Sequence, residues 1–177
     1  MQTRVMLVPL TYLAAAAPVH AAVYLTVAQA QTLMFAGATL TPDFRQLSAE
    51  QRQAVEQDSG VHSSANELQI WRASDGGWFI LDQVIGKHSP IRYAVALDAQ
   101  GALRQIEILE YSESYGGEVR LPAWRKQFVG KRRADQVELD QNIRNISGAT
   151  LSCGHVTQGV RRLLSIHALV LAANANG

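Results

Sequence analysis

Four segments between residues 67 and 111 alternate, with some exceptions, between apolar and polar residues, and turn residues separate them. The segments are Glu67 to Arg72, Trp78 to Gly86, Ile91 to Asp98 and Leu103 to Tyr111. Runs such as Asp75-Gly76-Gly77 supply the backbone conformations that tight turns need. Because strands joined by short turns pair in antiparallel order, the pattern predicts an antiparallel β-meander.

Two short helices are predicted before the meander. Thr26 suits the N-cap of a helix that ends near Gly37. Ser48 and Gln51 have the spacing of a capping box, which places a second helix over Ala49 to Asp58.

Two further helices are predicted after the meander. Pro122 suits the first turn of a helix that holds Trp124 and Phe128. A longer helix begins near Ala149 or Thr150, where apolar residues recur at three- and four-residue spacing. The order of elements predicts an α+β fold, in which helices pack on a curved antiparallel sheet.

The first 21 residues have the features of an export signal. Arg4 precedes the uncharged, mostly apolar run Val5 to Ala17, and Val19-His20-Ala21 offers small residues at a cleavage site. The sequence thus predicts a signal peptide over residues 1–21, a domain over residues 22–177 and a periplasmic location. The alternative is an uncleaved N-terminal anchor.

Charge and cysteine content exclude several classes of protein. The formal net charge is +1, and the basic cluster Lys131-Arg132-Arg133 has no interleaved aromatic residues, so no nucleic-acid partner is expected. Cys153 is the single cysteine, which excludes an internal disulfide. Cys153 and His155 also lack the spacing of a zinc or haem site, so no metal site is predicted.

A segment rich in small and hydroxyl residues leads directly into the C-terminal helix. It contains Ser147, Gly148, Ala149, Thr150, Leu151 and Ser152. A helix N-terminus offers unpaired N–H groups and partial positive charge, and glycine lets a bulky anion approach the backbone. The segment therefore suits a phosphate. The alternative interpretation is an ordinary helix start, with Ser147 or Thr150 as its N-cap.

The string Ser147-Gly148-Ala149-Thr150 resembles the flavinylation motif of the FMN-binding domain family. That family includes the C subunit of the sodium-pumping NADH:quinone reductase and the G subunit of the Rnf electron-transport complex. The resemblance implies that FMN is bound covalently, through a phosphoester to Thr150, and that a separate flavin transferase makes the bond from FAD. The family usually has an aspartate six residues before this threonine, where the chain has Arg144.

Other segments resemble the same family, over about Tyr24 to Leu171. The loop Glu113-Ser114-Tyr115-Gly116-Gly117 corresponds to an acidic, glycine-containing loop beside the flavin, although Ser114 and Tyr115 replace Thr and Pro. The resemblance makes Glu113, Ser114, Tyr115, Gly116 and Trp124 candidate flavin contacts. Glu113 could hydrogen-bond either the flavin or the loop backbone, and Trp124 is interpreted first as a core aromatic residue.

The predicted function is that of an exported flavoprotein that transfers electrons. The expected redox partner is a membrane-bound haem or iron–sulfur protein, and maturation requires the flavin transferase. The sequence leaves two alternatives. One is a periplasmic flavin-dependent reductase of a small acceptor, and the other is a binding module without flavin.

Overall fold

The computed structural model describes residues 22–62, 67–113 and 115–172. The predicted signal peptide lies outside these residues. The strands are β1 (Ala22–Val23), β2 (Leu40–Pro42), β3 (Arg45–Gln46), β4 (Glu67–Ala73), β5 (Trp78–Ile85), β6 (Pro90–Leu97) and β7 (Leu103–Tyr111). The α-helices are α1 (Val27–Met34), α2 (Ala49–Ser59), α3 (Pro122–Arg125) and α4 (Thr150–Ile166). Short 3₁₀ turns cover Gly117–Arg120 and Lys126–Phe128, and α4 continues as a π-helical segment over His167–Leu171.

The sheet is antiparallel, and its strands follow the order β1-β7-β6-β5-β4-β2, with β3 also paired to β4. The four long strands are the predicted meander, which is confirmed with bounds that differ by no more than one residue. The strands β1, β2 and β3 were not predicted, because two or three residues are too few to show alternation.

The predicted helix starts before the meander are confirmed. The hydroxyls of Thr26 and Ser48 both accept from the backbone N–H three residues on, and the side chains of Gln29 and Gln51 complete the two capping boxes. Gly60 ends α2 in a left-handed conformation with φ of 66°. These helix starts could be predicted from sequence because each capping contact spans only three residues of chain.

Helices cover both faces of the sheet, so the fold is α+β, as predicted. On one face α1 packs over a cluster that contains Met34, Phe79 and Leu109. On the other face α2 and α4 cover the larger core, which contains Ile80, Val160 and Leu164. Burial of these apolar side chains is the main favourable term in such a fold.

A buried polar cluster fixes α4 against the sheet. The Arg162 guanidinium donates to both carboxylate oxygens of Asp82 on β5, at 2.7 and 2.6 Å. The Tyr93 hydroxyl, from β6, donates to the same carboxylate. Gly159 allows this approach, since a Cβ there would collide with the Tyr93 hydroxyl. The cluster therefore sets where the helix lies on the sheet.

Within the described residues, the helices are too short or too polar to cross a lipid bilayer.

Candidate functional site

Helix α4 begins without a side-chain cap. Ala149 occupies the N-cap position with φ of −118° and ψ of 14°, and no side chain accepts from the first turn. The first helical hydrogen bond runs from the Cys153 N–H to the Ala149 carbonyl, at 2.9 Å. Because the earlier N–H groups have no partner in the helix, they remain available to an anion. The alternative interpretation of Ser147 or Thr150 as an ordinary N-cap is wrong.

The turn before α4 presents Thr150 to solvent. Gly148 has φ of 83°, a left-handed conformation that glycine adopts without steric cost, and the Ala149 N–H donates to the Ile146 carbonyl at 2.9 Å. Asn145 holds the exposed Thr150, because its Nδ2 donates to Thr150 Oγ1 at 3.1 Å. The amide orientation is set by Asn145 Oδ1, which accepts from the Ile146 N–H at 2.8 Å.

An open cleft of about 440 Å³ lies in front of this turn. It brings together most of the site residues that were predicted from sequence, and Lys87 and His88 from the turn between β5 and β6. The lining residues are Lys87, His88, Glu113, Tyr115, Gly148, Ala149, Thr150, Leu151 and Ser152. The motif at the start of α4 and the loop after β7 therefore form one site.

The other predicted residues that the structure describes do not line the cleft. Ser147 is exposed in the turn before α4, and Gly116 is a buried residue of the loop after β7. Ser114 lies outside the described residues. Trp124 is buried in the core, with its ring at 72° to that of Phe128 and the centroids 5.0 Å apart. Trp124 does not line the cleft, which fits its first interpretation as a core aromatic residue.

Trp124 instead donates a hydrogen bond to the backbone of the segment that precedes the motif. Its Nε1 donates to the Arg144 carbonyl at 2.9 Å, and the Arg144 N–H donates to Gln127 Oε1 at 2.7 Å. Both backbone groups of Arg144 are therefore bonded, while the residue itself is exposed. The segment before the motif is held in place regardless of the charge at position 144.

Glu113 holds the turn that carries Lys87 and His88. Its Oε1 accepts from the backbone N–H groups of His88 at 2.5 Å and Ser89 at 2.9 Å. Gly86 lies so close that a Cβ there would be 2.6 Å from the same oxygen. The predicted roles were hydrogen bonds to the flavin or to the backbone of its own loop, whereas these hydrogen bonds join Glu113 to the backbone of the turn between β5 and β6. They place Lys87 and His88 on the cleft.

The carboxylate of Glu113 is stabilised in its ionised form. Partial burial raises the pKa of Glu113, but the backbone donors of His88 and Ser89 outweigh this effect and hold the pKa below its usual value. A group with a lowered pKa stabilises the fold above its unfolded pKa, which is about 4.3 for glutamate. This contribution is lost as the pH falls through the lower, folded value.

We therefore expect the turn over residues 86–89 to loosen in acid. Hydrogen exchange should show protected amides at His88 and Ser89 at neutral pH, and protection factors lower by about tenfold at about pH 3. In Glu113→Gln the protection should be low at both pH values. Glu110→Gln is the matched control, since the Glu110 carboxylate pairs with Arg92 on the neighbouring strand. Unchanged protection in Glu113→Gln would contradict the role assigned to Glu113.

The cleft has groups that attract an anion, and Glu113 adds one negative charge to the same lining. The helix start carries partial positive charge, and Lys87 and His88 also line the cleft. The Glu113 carboxylate is engaged by backbone donors. Lys87 was not predicted as a site residue, because a lysine in a hairpin turn is usually a solvated surface residue and only the folded chain brings it to the cleft that Thr150 lines.

Cys153 is not a reactive group of this site. Its side chain is fully buried in the larger core, and burial raises the pKa of the thiol. Among the described residues, His, Cys, Asp and Glu form no group of three that could hold a metal ion.

Comparison with known proteins relates part of the chain to a family of proteins. Residues 86–165 match the sequence model of the FMN-binding domain. The predicted resemblance is confirmed for this stretch, which runs from the turn that carries Lys87 to the last turn of α4. This part of the chain is therefore similar to the FMN-binding domain.

A more particular similarity is to the C subunit of the Na⁺-translocating NADH-quinone reductase from Parabacteroides distasonis. That crystal structure has 13% sequence identity and a TM-score of 0.44, with 75% of this chain and 77% of that chain covered. The comparison with curated proteins found no match.

Proposed function

We propose that the chain is an exported flavoprotein that carries FMN as a phosphoester on Thr150 and passes electrons to or from a membrane or periplasmic partner. The observation that carries this proposal is the uncapped start of α4, where an exposed threonine hydroxyl lies on an open cleft. A phosphate bound there would accept from N–H groups that no side chain occupies.

The residues of the cleft fit FMN by their chemistry. Thr150 and the N–H groups of Leu151 and Ser152 would hold the phosphate. Tyr115, which is 84% exposed, and Leu151, which is 49% exposed, offer flat and aliphatic surfaces to an aromatic ring. Lys87 and His88 add donors for the polar edge of the ring or for the phosphate. When bound, FMN supplies the ability to exchange one or two electrons.

One hydrogen bond of Thr150 supports the proposed attachment step. Because Asn145 Nδ2 donates to Thr150 Oγ1, the hydroxyl hydrogen is left free to be removed. In the step, this oxygen forms a bond to the phosphorus of the FMN half of FAD. The diphosphate bond breaks, AMP leaves, and a base of the flavin transferase takes the hydroxyl proton.

The openness of the cleft favours electron transfer over reduction of a small molecule. A reductase needs an enclosed pocket beside the ring for its second substrate. Here Tyr115 and Leu151 are both exposed, so a ring between them would present an edge to solvent. An exposed edge suits a protein partner that docks briefly, and we propose a membrane-bound haem or iron–sulfur protein in that role.

The test is direct detection of bound flavin. The full chain is coexpressed with a flavin transferase, denatured, run on a gel and viewed under ultraviolet light. A fluorescent band at the mass of the chain is expected, and a dark band would overturn the covalent attachment. Retention of FMN by the native chain, without a fluorescent band after denaturation, would show a non-covalent site instead.

A further inference from the structure

A buried tyrosine behind the cleft connects two of its walls. Tyr111 lies at the end of β7 and is 3% exposed. Its hydroxyl donates to the Tyr115 carbonyl at 2.5 Å and lies 2.9 Å from the Ser152 hydroxyl, in the first turn of α4. The loop that carries Tyr115 and the helix that carries Thr150 are thus joined through one oxygen atom.

The packing around this oxygen leaves no free space. Gly116 has φ of 89°, and a Cβ there would be 2.5 Å from the Tyr111 hydroxyl and 3.1 Å from the Ser152 hydroxyl. The Ala149 Cα would be 3.3 Å away. The loop therefore lies directly on the start of α4, and only glycine allows this approach.

The Tyr111 hydroxyl keeps its proton at neutral pH. Burial raises the pKa of Tyr111, and the hydrogen bond with Ser152 opposes this only in part. A protonated phenol has one hydrogen to donate and lone pairs to accept with. It donates to the Tyr115 carbonyl, so the Ser152 hydroxyl donates to Tyr111.

We propose that Tyr111 is a positioning residue for the flavin. Its hydroxyl sets the separation between the loop that carries Tyr115 and the phosphate site at the start of α4. Tyr111 does not itself line the cleft. This inference rests on the proposed function. A ring held between Tyr115 and Leu151, with its phosphate at Thr150, requires the two walls to keep one spacing, and loss of the hydroxyl lets the loop move relative to the helix.

The test is Tyr111→Phe in the full chain, with two measurements. Protein made without the transferase is titrated with FMN, and quenching of flavin fluorescence gives the affinity. We expect affinity about fivefold weaker than that of wild type, the size of effect that one lost hydrogen bond produces. Protein made with the transferase is examined by circular dichroism in the visible flavin bands, which reports how the ring is held, and a smaller signal is expected.

Tyr93→Phe is the matched control. Tyr93 is also a buried tyrosine with a bonded hydroxyl, but it faces Asp82 and Gly159. Gly159 is nine residues along α4 from Thr150, or about 14 Å. Tyr93→Phe should lower stability while leaving FMN affinity and the visible dichroism unchanged.

The outcomes separate this inference from the proposed function. If wild type neither binds nor carries FMN, the proposed function fails. If wild type binds FMN and Tyr111→Phe has the same affinity and dichroism, only the role of Tyr111 is overturned. Equal changes in Tyr93→Phe and Tyr111→Phe would also overturn it, since they would reflect general loss of stability.

Discussion

Replacing Thr150 with alanine should remove covalent flavin completely. In a denaturing gel of the full chain coexpressed with a flavin transferase, wild type should fluoresce and Thr150→Ala should be dark. The change deletes the oxygen that would form the phosphoester. The fold should survive, because Thr150 is exposed and its hydroxyl does not cap α4.

Three companion variants make this result specific. Thr150→Ser keeps a hydroxyl at the same position and should retain fluorescence, although at a lower yield. Ser147→Ala and Ser152→Ala remove neighbouring hydroxyls and should leave the band in place. A fluorescent band in Thr150→Ala would assign the attachment to another residue. A dark wild type would overturn the covalent attachment itself.

Replacing Asp82 with alanine should lower the free energy of unfolding by about 3–5 kcal/mol. Asp82 and Arg162 are mostly buried, with side chains 15% and 11% exposed. Burial lowers the pKa of Arg162, but the Asp82 carboxylate outweighs this effect and the pKa is raised, so the guanidinium stays charged. Without Asp82, that charge and the Tyr93 hydroxyl lose their shared acceptor inside the protein.

Unfolding in urea, followed by circular dichroism, measures this loss. Asp75→Ala is the matched control, because Asp75 pairs with Arg104 at the surface, where the two side chains are 42% and 38% exposed. An exposed pair contributes about 0–1 kcal/mol. The double variant Asp82→Leu/Arg162→Met should recover much of the lost stability, since it removes both charges. Similar losses in Asp82→Ala and Asp75→Ala would contradict the burial argument.

Elements with local signals were predictable from sequence. The N-cap at Thr26, the capping box at Ser48 and the four long strands follow from patterns within a few residues, and the structure confirms them. The strands β1, β2 and β3 escaped prediction, because their pairing depends on partners far along the chain. Leu40, for example, pairs with Ala73.

Some features of the candidate site were likewise predictable from sequence, and others were not. The start of α4 was predicted within one residue, since a small, hydroxyl-rich segment ahead of an apolar helical face is a local signal. The absence of a cap could not be predicted, because Ser147 and Thr150 both have side chains able to cap a helix. Tyr111 was missed for a different reason: at the end of an alternating strand it is indistinguishable from an ordinary core residue.

The sequence by itself thus determined the α+β class, the meander and the segment that presents Thr150. It did so because periodicity, turn residues and helix starts are properties of neighbouring residues. Only the tertiary structure decided what faces Thr150. The cleft joins the turn between β5 and β6, the loop after β7 and the first turn of α4, which are separated by up to 65 residues from Lys87 to Ser152. Contacts at that separation depend on how α4 lies on the sheet, and the buried Asp82–Arg162 pair helps to fix that placement.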